Sequence, residues 1–157
     1  MGRLEPRKNH LTLIRAYARL GPDAPPLVIV GQRDFSFEPV FEAVRQHGLD
    51  GRVRLLERVG DGQLPALVRH ARLFAYPAFA EGFGMPVVEA LASGVPVVTS
   101  NTTSLPEVAG DAALLVDPMD DAALARAMST LLEDAAQCTD RIRRGLTQAR
   151  RYTWEES

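Results

Sequence analysis

Glu81 and Glu89 stand with seven residues between them in the segment EGFGMPVVE, at the point where an apolar run ends and a helical pattern begins. The chemistry available there starts with the backbone. Gly82 and Gly84 let a loop approach a ligand closely, and a helix opening near Met85 points its unpaired N–H groups back at that loop. With about half a positive charge at a helix start, free amides around Met85, Val87 and Val88 can hold a diphosphate without any side chain. Glu89 follows roughly one turn inside and can accept hydrogen bonds from two vicinal hydroxyls, as a ribose clamp does.

Spacing alone leaves other readings open. Glycosidase carboxylates must face one another across a sugar at about 5 to 9.5 Å, which is less natural for one acid on a loop and one on its own helix. A metal site is weaker still, because no histidine lies near and two acids do not make a distinctive ligand set. A capping acid followed by an exposed helical one would satisfy the helix dipole with no ligand at all.

Other polar segments could complete a site. GRLEPRKN (2–9) presents Arg3, Arg7 and Lys8 as the chain enters a helix, which suits a phosphate group as well as it suits a solvated basic turn. SNTTSLPEVAGDAA (100–113) carries hydroxyls and amides that could line a sugar or phosphate pocket, or form a turn placing Glu107 at the site edge. Arg33, after the run LVIVG, is most simply an exposed loop arginine, and Cys138 a small helical side chain. His10, His47 and His70 fall on three different helices and receive no catalytic role.

The elements that must position these residues alternate regularly. Asn9 is a good N-cap for a helix carrying Leu11, Ile14, Tyr17 and Ala18 on one face. LVIVG (27–31), VRLLE (53–57), LFAYP (73–77), VPVVTS (95–100) and ALLVD (113–117) read as strands, the first as one buried on both faces. Between them, 37–49, 63–71 and 85–93 read as helices, Pro86 suiting a first turn. Asp120 caps a helix with Leu124, Ala127, Met128 and Leu131 on one side, and a last helix holds Ile142, Leu146 and Ala149. Short connections between alternating strands and helices require right-handed crossovers. The fold class is α/β, a doubly wound, mostly parallel sheet with helices on both faces. In such sheets ligands bind beyond the carboxyl ends of the strands, where the segments above lie.

Composition bounds the rest. The 157 residues, 46% hydrophobic, fit a single domain. A net charge of -2, from 18 basic and 20 acidic side chains without a long single-sign run, argues against nucleic acid. One cysteine, no signal peptide and no apolar run near 18 residues point to a reducing, cytoplasmic setting. The chain starts almost on top of GRLEPRKN without an apolar strand to deliver it, and ends at YTWEES just after a helix, so an expressed fragment is expected.

The motif EGFGMPVVEALASGVPVV (81–98) resembles the Glu, seven residues, Glu signature of the C-terminal domain of glycosyltransferase family 4, which has the GT-B architecture. GRLEPRKN, LVIVG, LPALVRHARLFAYPAFAEGFG, SLPEVAG and LLVDPMD extend the resemblance over nearly the whole chain. The resemblance implies retaining transfer of a sugar from a nucleotide diphosphate donor held on this domain. By it, Arg3 and Lys8 meet the diphosphate, Glu81 holds sugar hydroxyls, and Glu89 binds the ribose. The amides of Phe83, Gly84, Met85 and Val87 complete the cradle, and the base packs beside Arg58 and Val59 with Leu64 nearby. No metal and no further cofactor are implied, because cations and helix amides offset the leaving group's charge. The run SNTTSLPEVAGDAALLVDP looks like that of bacterial mannosyl- or related hexosyltransferases of polysaccharide or glycolipid synthesis, which makes GDP-mannose the first donor expected and a UDP-sugar the next.

Members of that family carry an N-terminal domain that meets the glycan or lipid-linked acceptor, and a C-terminal helix that returns to it. Nothing in these residues corresponds to either. The isolated chain is therefore expected to bind a nucleotide or nucleotide sugar weakly and to catalyse nothing, with the full-length protein cytoplasmic or peripheral at the inner membrane. Two other classes share the motif's phosphate cradle: a non-catalytic nucleotide-binding module, which would not need Glu81, and half of a GT-B nucleotide-sugar epimerase.

Overall fold

A computed structural model describes residues 3–33 and 35–152, the side chain of Phe35 excepted. The strands are β1 (Arg3–Leu4), β2 (Leu27–Val30), β3 (Gln32–Arg33), β4 (Val53–Leu56), β5 (Phe74–Tyr76), β6 (Val97–Ser100) and β7 (Leu114–Val116). The helices are α1 (His10–Arg19), α2 (Glu38–Gln46), α3 (Leu64–Arg69), α4 (Met85–Ala92), α5 (Leu105–Ala109), α6 (Asp121–Glu133) and α7 (Ala135–Ala149). Each strand read from sequence is present but trimmed. The prolines at 77 and 96 flank β5 and β6, where a residue without an N–H cannot join the ladder.

Every strand pairing is parallel. β6 lies between β5 and β7, with Ala75 opposite Val98 and Thr99 opposite Leu115. All four β6 residues are buried. Val98 faces a cluster with Ile14 of α1 and Leu124 of α6, while its neighbour Val97 faces a second cluster with Val87 and Leu91 of α4 and Leu105 of α5. This two-residue alternation shows that helices cover both faces, as the continuous apolar run VPVV requires. On the second face α7 packs on α4 through Gly145, where an added Cβ would stand 3.0 Å from a Leu91 methyl.

Two features differ from the sequence reading. Among the described residues the sheet is not continuous: β2 pairs with β4 and β5 with β6, but β2 and β5 do not pair with each other. In addition, β1 pairs in parallel with β3, a strand too short to show a pattern, through Arg3 opposite Gln32 and Leu4 opposite Arg33. Asn9 also departs from the role expected of it. It adopts the left-handed conformation (φ 62°) and makes no side-chain cap to α1. Its buried side-chain amide instead donates to the carbonyls of Pro77 and Pro118, both at 2.8 Å, and so ties the loops that follow β5 and β7. Asp120 does cap α6, accepting from the Ala123 amide at 2.8 Å. Of the YTWEES segment, residues 153–157 lie outside the described residues, as do Met1 and Gly2.

Candidate functional site

The loop between β5 and α4 carries Glu81 and is held from two sides. The Phe79 amide donates to the Arg7 carbonyl at 2.9 Å, joining it to the turn after β1. From the β6 side, hydroxyls grip it in sequence: Thr99 donates to the Tyr76 carbonyl, Ser100 to Ala78, Thr102 to Phe79, and Ser104 to both Glu81 and Phe83. The Thr103 hydroxyl accepts from the Glu81 amide at 3.1 Å. The polar run after β6 thus clamps the loop's backbone, and Glu107 itself is exposed on α5.

Glu81 sits in a cluster of three partners. Lys8 Nζ lies 2.9 Å from one carboxylate oxygen, the Tyr76 hydroxyl donates to the same oxygen at 2.6 Å, and Arg7 reaches the other at 3.4 Å. Lys8 also donates to the Tyr76 hydroxyl. Partial burial opposes ionisation of Glu81, but the hydrogen bonds from Lys8 and Tyr76 and the charges of Lys8 and Arg7 outweigh it and hold the carboxyl at about 2. Burial first, and then the hydrogen bond to Glu81 and the negative charge of its carboxylate, push the Tyr76 hydroxyl well above its usual range. Glu81 is therefore a fixed anion that accepts hydrogen bonds. A glycosidase acid needs the opposite, a raised pKa and a proton to give.

Gly84 opens α4 in the left-handed conformation (φ 97°), and a Cβ there would stand 3.0 Å from a Leu105 methyl. Its carbonyl accepts from the amides of Val87 at 2.9 Å and Val88 at 3.3 Å. This corrects the expected cradle. The first turn closes tightly, so the Val87 amide is already engaged and the Val87 side chain is fully buried, while Pro86 has no N–H to give. The amides of Phe83, Gly84 and Met85 have no acceptor among the described residues. Phe83 and Met85 expose their side chains around them, Phe83 resting edge-on against Tyr152.

The remaining sequence candidates distribute around this point. Arg3 lines the same cleft as Lys8 and Tyr76, exposed and without an acidic partner among the described residues. Glu89 is exposed on α4, its carboxylate without a partner among the described residues. Arg58 and Val59 line a separate hollow beyond β4, with Glu57 and Gln63. Leu64 does not join them: it packs against the core on the α4 side and lines the cleft shared by Arg3 and Lys8, because it opens α3 on the face turned toward the sheet. Arg33 pairs with Glu57 at 3.0 Å. Sequence reasoning missed Tyr76, whose place in an apolar run gave no sign of a polar role, and the bond of Arg7 to Glu81.

His10 lines the cleft too, its ring edge-on to Phe37. Burial first, and then the charge of Lys8, lowers its pKa to about 4. No three histidine, cysteine, aspartate or glutamate side chains stand together as a metal site among the described residues, and no helix among them is long and apolar enough to cross a membrane.

Comparison with known proteins gives the chain's relatives. O-antigen chain mannosyltransferase B from Escherichia coli is 42% identical over 158 residues, covering 99% of this chain and 42% of that protein, so the chain spans less than half the length of its relative. Sucrose-phosphate synthase from Thermosynechococcus elongatus superposes with a TM-score of 0.88 at 26% identity, covering 98% of this chain and 41% of that one. Anabaena HepE, solved in complex with UDP-glucose, superposes with a TM-score of 0.87 at 26% identity, over 96% of this chain and 43% of the other. A family model for glycosyl transferases group 1 matches residues 1–148. With a parallel sheet covered on both faces like those of GT-B glycosyltransferases and a family match over nearly its full length, the chain belongs to the glycosyl transferases group 1.

Proposed function

We propose that this chain is the donor-binding domain of a retaining hexosyltransferase of the family 4 type, with GDP-mannose as the first candidate donor and a UDP-sugar as the next. The observation that carries the reading is the Lys8, Tyr76 and Glu81 cluster standing beside the free amides of Phe83, Gly84 and Met85. It sets fixed positive charge and backbone donors for a diphosphate next to a fixed anion for sugar hydroxyls. Support for mannose comes from the O-antigen mannosyltransferase relative, and support for a nucleotide sugar from the UDP-glucose held by HepE.

In this reading Arg3 and Lys8 meet the diphosphate. Lys8 has three N–H donors, of which two are engaged by Tyr76 and Glu81, leaving one for a phosphate oxygen. Glu81 accepts from the sugar hydroxyls, Glu89 from the ribose, and the base rests near Arg58 and Val59. When the bond from the sugar's anomeric carbon to the diphosphate breaks, the electron pair leaves with the diphosphate, and the cations and amides offset that charge. The acceptor hydroxyl bonds to the same face, and its proton passes to a donor phosphate oxygen. No metal takes part.

The acceptor, a glycan or a lipid-linked saccharide, is met by another part of the full protein at the cytoplasmic side of the inner membrane. The 157-residue chain alone then binds nucleotide weakly and transfers nothing. Titration with GDP, UDP and ADP, followed by calorimetry or ligand-observed NMR, tests the reading. Saturable binding of one of the three supports it, and binding of none overturns it.

A further inference from the structure

Phe83 stands between Gly82 and Gly84, in the stretch whose amides have no acceptor among the described residues. Two glycines leave the backbone there with the widest conformational choice, so whatever fixes it must grip the residue between them. Ser104 grips the main chain, its hydroxyl donating to the Phe83 carbonyl at 3.1 Å. The side chain is held separately. Though exposed, the Phe83 ring meets Tyr152 with centroids 5.5 Å apart and planes at 85°. In that arrangement the positive edge of one ring faces the negative face of the other.

Tyr152 is itself fixed from several sides. It ends the short 3-10 turn Arg150–Tyr152 that continues α7. Its ring packs against the core cluster containing Leu91 of α4 and Leu105 and Val108 of α5, and its hydroxyl donates to the Glu107 carbonyl at 3.3 Å. One turn earlier, buried Gln148 donates to the Val108 carbonyl at 3.1 Å, and an added Cβ on Gly110 would stand 3.0 Å from the Gln148 side chain. A further turn back, Gly145 lets α7 rest on Leu91. So α7 runs as a brace from the middle of α4 to the end of α5, and Tyr152 is where that brace reaches the loop after β5.

We propose that Tyr152 is a positioning residue for this loop: by holding the Phe83 ring it keeps the amides of Phe83, Gly84 and Met85 aimed at the donor's diphosphate. The proposal rests on the reading of the loop as the diphosphate site. Tyr152 acts through Phe83 and takes no part in the chemistry. Amides stabilise a developing charge best when they are oriented before it forms, and a loop that must be ordered on binding subtracts that cost from affinity. The strength of an edge-on aromatic pair corresponds to about twofold to tenfold in an equilibrium constant.

The test uses the 157-residue chain, with GDP, UDP and ADP as probes. Tyr152→Ala, its circular dichroism unchanged, should bind the preferred nucleotide about threefold to tenfold more weakly by calorimetry. Tyr152→Phe, which keeps the ring and loses only the bond to Glu107, should stay within about twofold of the parent. In the ligand-free chain, NMR order parameters at Phe83 and Gly84 should drop from near 0.85 to below about 0.6 in the alanine variant alone. The double variant Phe83→Ala with Tyr152→Ala should bind no more weakly than Phe83→Ala, because the two residues act as one unit. If Tyr152→Ala does not fold, Tyr152→Leu keeps apolar bulk without a ring edge and gives the same comparison.

Unchanged order parameters in the alanine or leucine variant overturn the proposal, as do additive losses in the double variant. Equal weakening by Tyr152→Phe also overturns it, since the hydroxyl at Glu107 would then be the anchor. If the parent chain binds none of the three nucleotides, the donor reading falls, and the order parameters alone decide whether Tyr152 holds the loop.

Discussion

Lys8 Nζ and Glu81 Oε2 are 2.9 Å apart although 73 residues separate them in the chain, and both side chains are mostly shielded from water, at 12% and 14% exposure. The pair joins the turn after β1 to the loop after β5. The pair holds Glu81 as an anion near neutral pH, and in the proposed function a diphosphate at Lys8 would meet a cation already oriented and a sugar a carboxylate that stays ionised.

Lys8→Met keeps the aliphatic stem and removes the charge. Losing one charge-assisted hydrogen bond to phosphate costs about 1.5 to 3 kcal/mol, or roughly tenfold to a hundredfold in affinity. Calorimetry with the preferred nucleoside diphosphate should read that loss. Glu81→Ala separates the sugar-reading role from a plain nucleotide-binding module: affinity for the nucleotide sugar should fall more than affinity for the nucleoside diphosphate, and equal losses would favour the module.

Tyr76→Phe preserves ring packing and deletes the hydroxyl that bridges Lys8 and Glu81. The fold should survive, as judged by an unchanged circular dichroism spectrum. Glu81, with one fewer donor, should titrate at higher pH by NMR, and a carboxyl that titrates as in the parent chain would show the bridge to be without effect.

Acid stability should fall in two windows. The folded His10 sits at about 4 against an ordinary 6.5, so the unfolded chain takes up a proton first as pH drops below about 6.5, and the stability present above that value declines toward pH 4. Glu81 is held at about 2 against 4.5, so its contribution is complete above about 4.5 and is lost as pH falls toward 2. Urea unfolding from pH 7 to pH 2 should show both declines, with His10→Phe flattening the first and Glu81→Gln the second.

Asn9→Ala removes both side-chain hydrogen bonds to Pro77 and Pro118 and places alanine in a left-handed conformation. Leaving two carbonyls unpaired in a buried place should cost about 2 to 5 kcal/mol. A urea midpoint within experimental error of the parent would contradict that.

Gly84→Ala meets two penalties at once, a φ of 97° that disfavours any Cβ and a Leu105 methyl 3.0 Å from where the Cβ must go. A loss of about 1 to 3 kcal/mol is expected from strain of this kind. Gly82→Ala, with open space around its Cβ and no positive φ, should be nearly neutral in the same thermal or urea measurement.

Much of the fold could be read without coordinates, because burial on both faces leaves continuous apolar strands such as LVIV and VPVV, and amphipathic helices leave a 3.6-residue period. The same reading placed Glu81 on a loop and the start of α4 at Met85, where a proline in the first turn marks the boundary. Where it went astray, the residue had two local options and a distant partner chose between them. Asn9 has the side chain of a helix cap, yet Pro77 and Pro118 offered two carbonyls and won. Val87 was expected to present a free amide, but the tight turn at Gly84 absorbed it.

The sequence by itself determined the α/β alternation, the glycosyltransferase motif and the identity of its two glutamates, since these rest on periodicity and on short contiguous patterns. Only the tertiary structure decided that Lys8, Arg7 and Tyr76 converge on Glu81, that the hydroxyls after β6 clamp the loop rather than line a pocket, and that β2 pairs with β4 while β5 pairs with β6. Those relationships depend on which parallel strands become neighbours and how far each extends, and parallel neighbours are joined through crossovers whose lateral order leaves no local pattern in the residues.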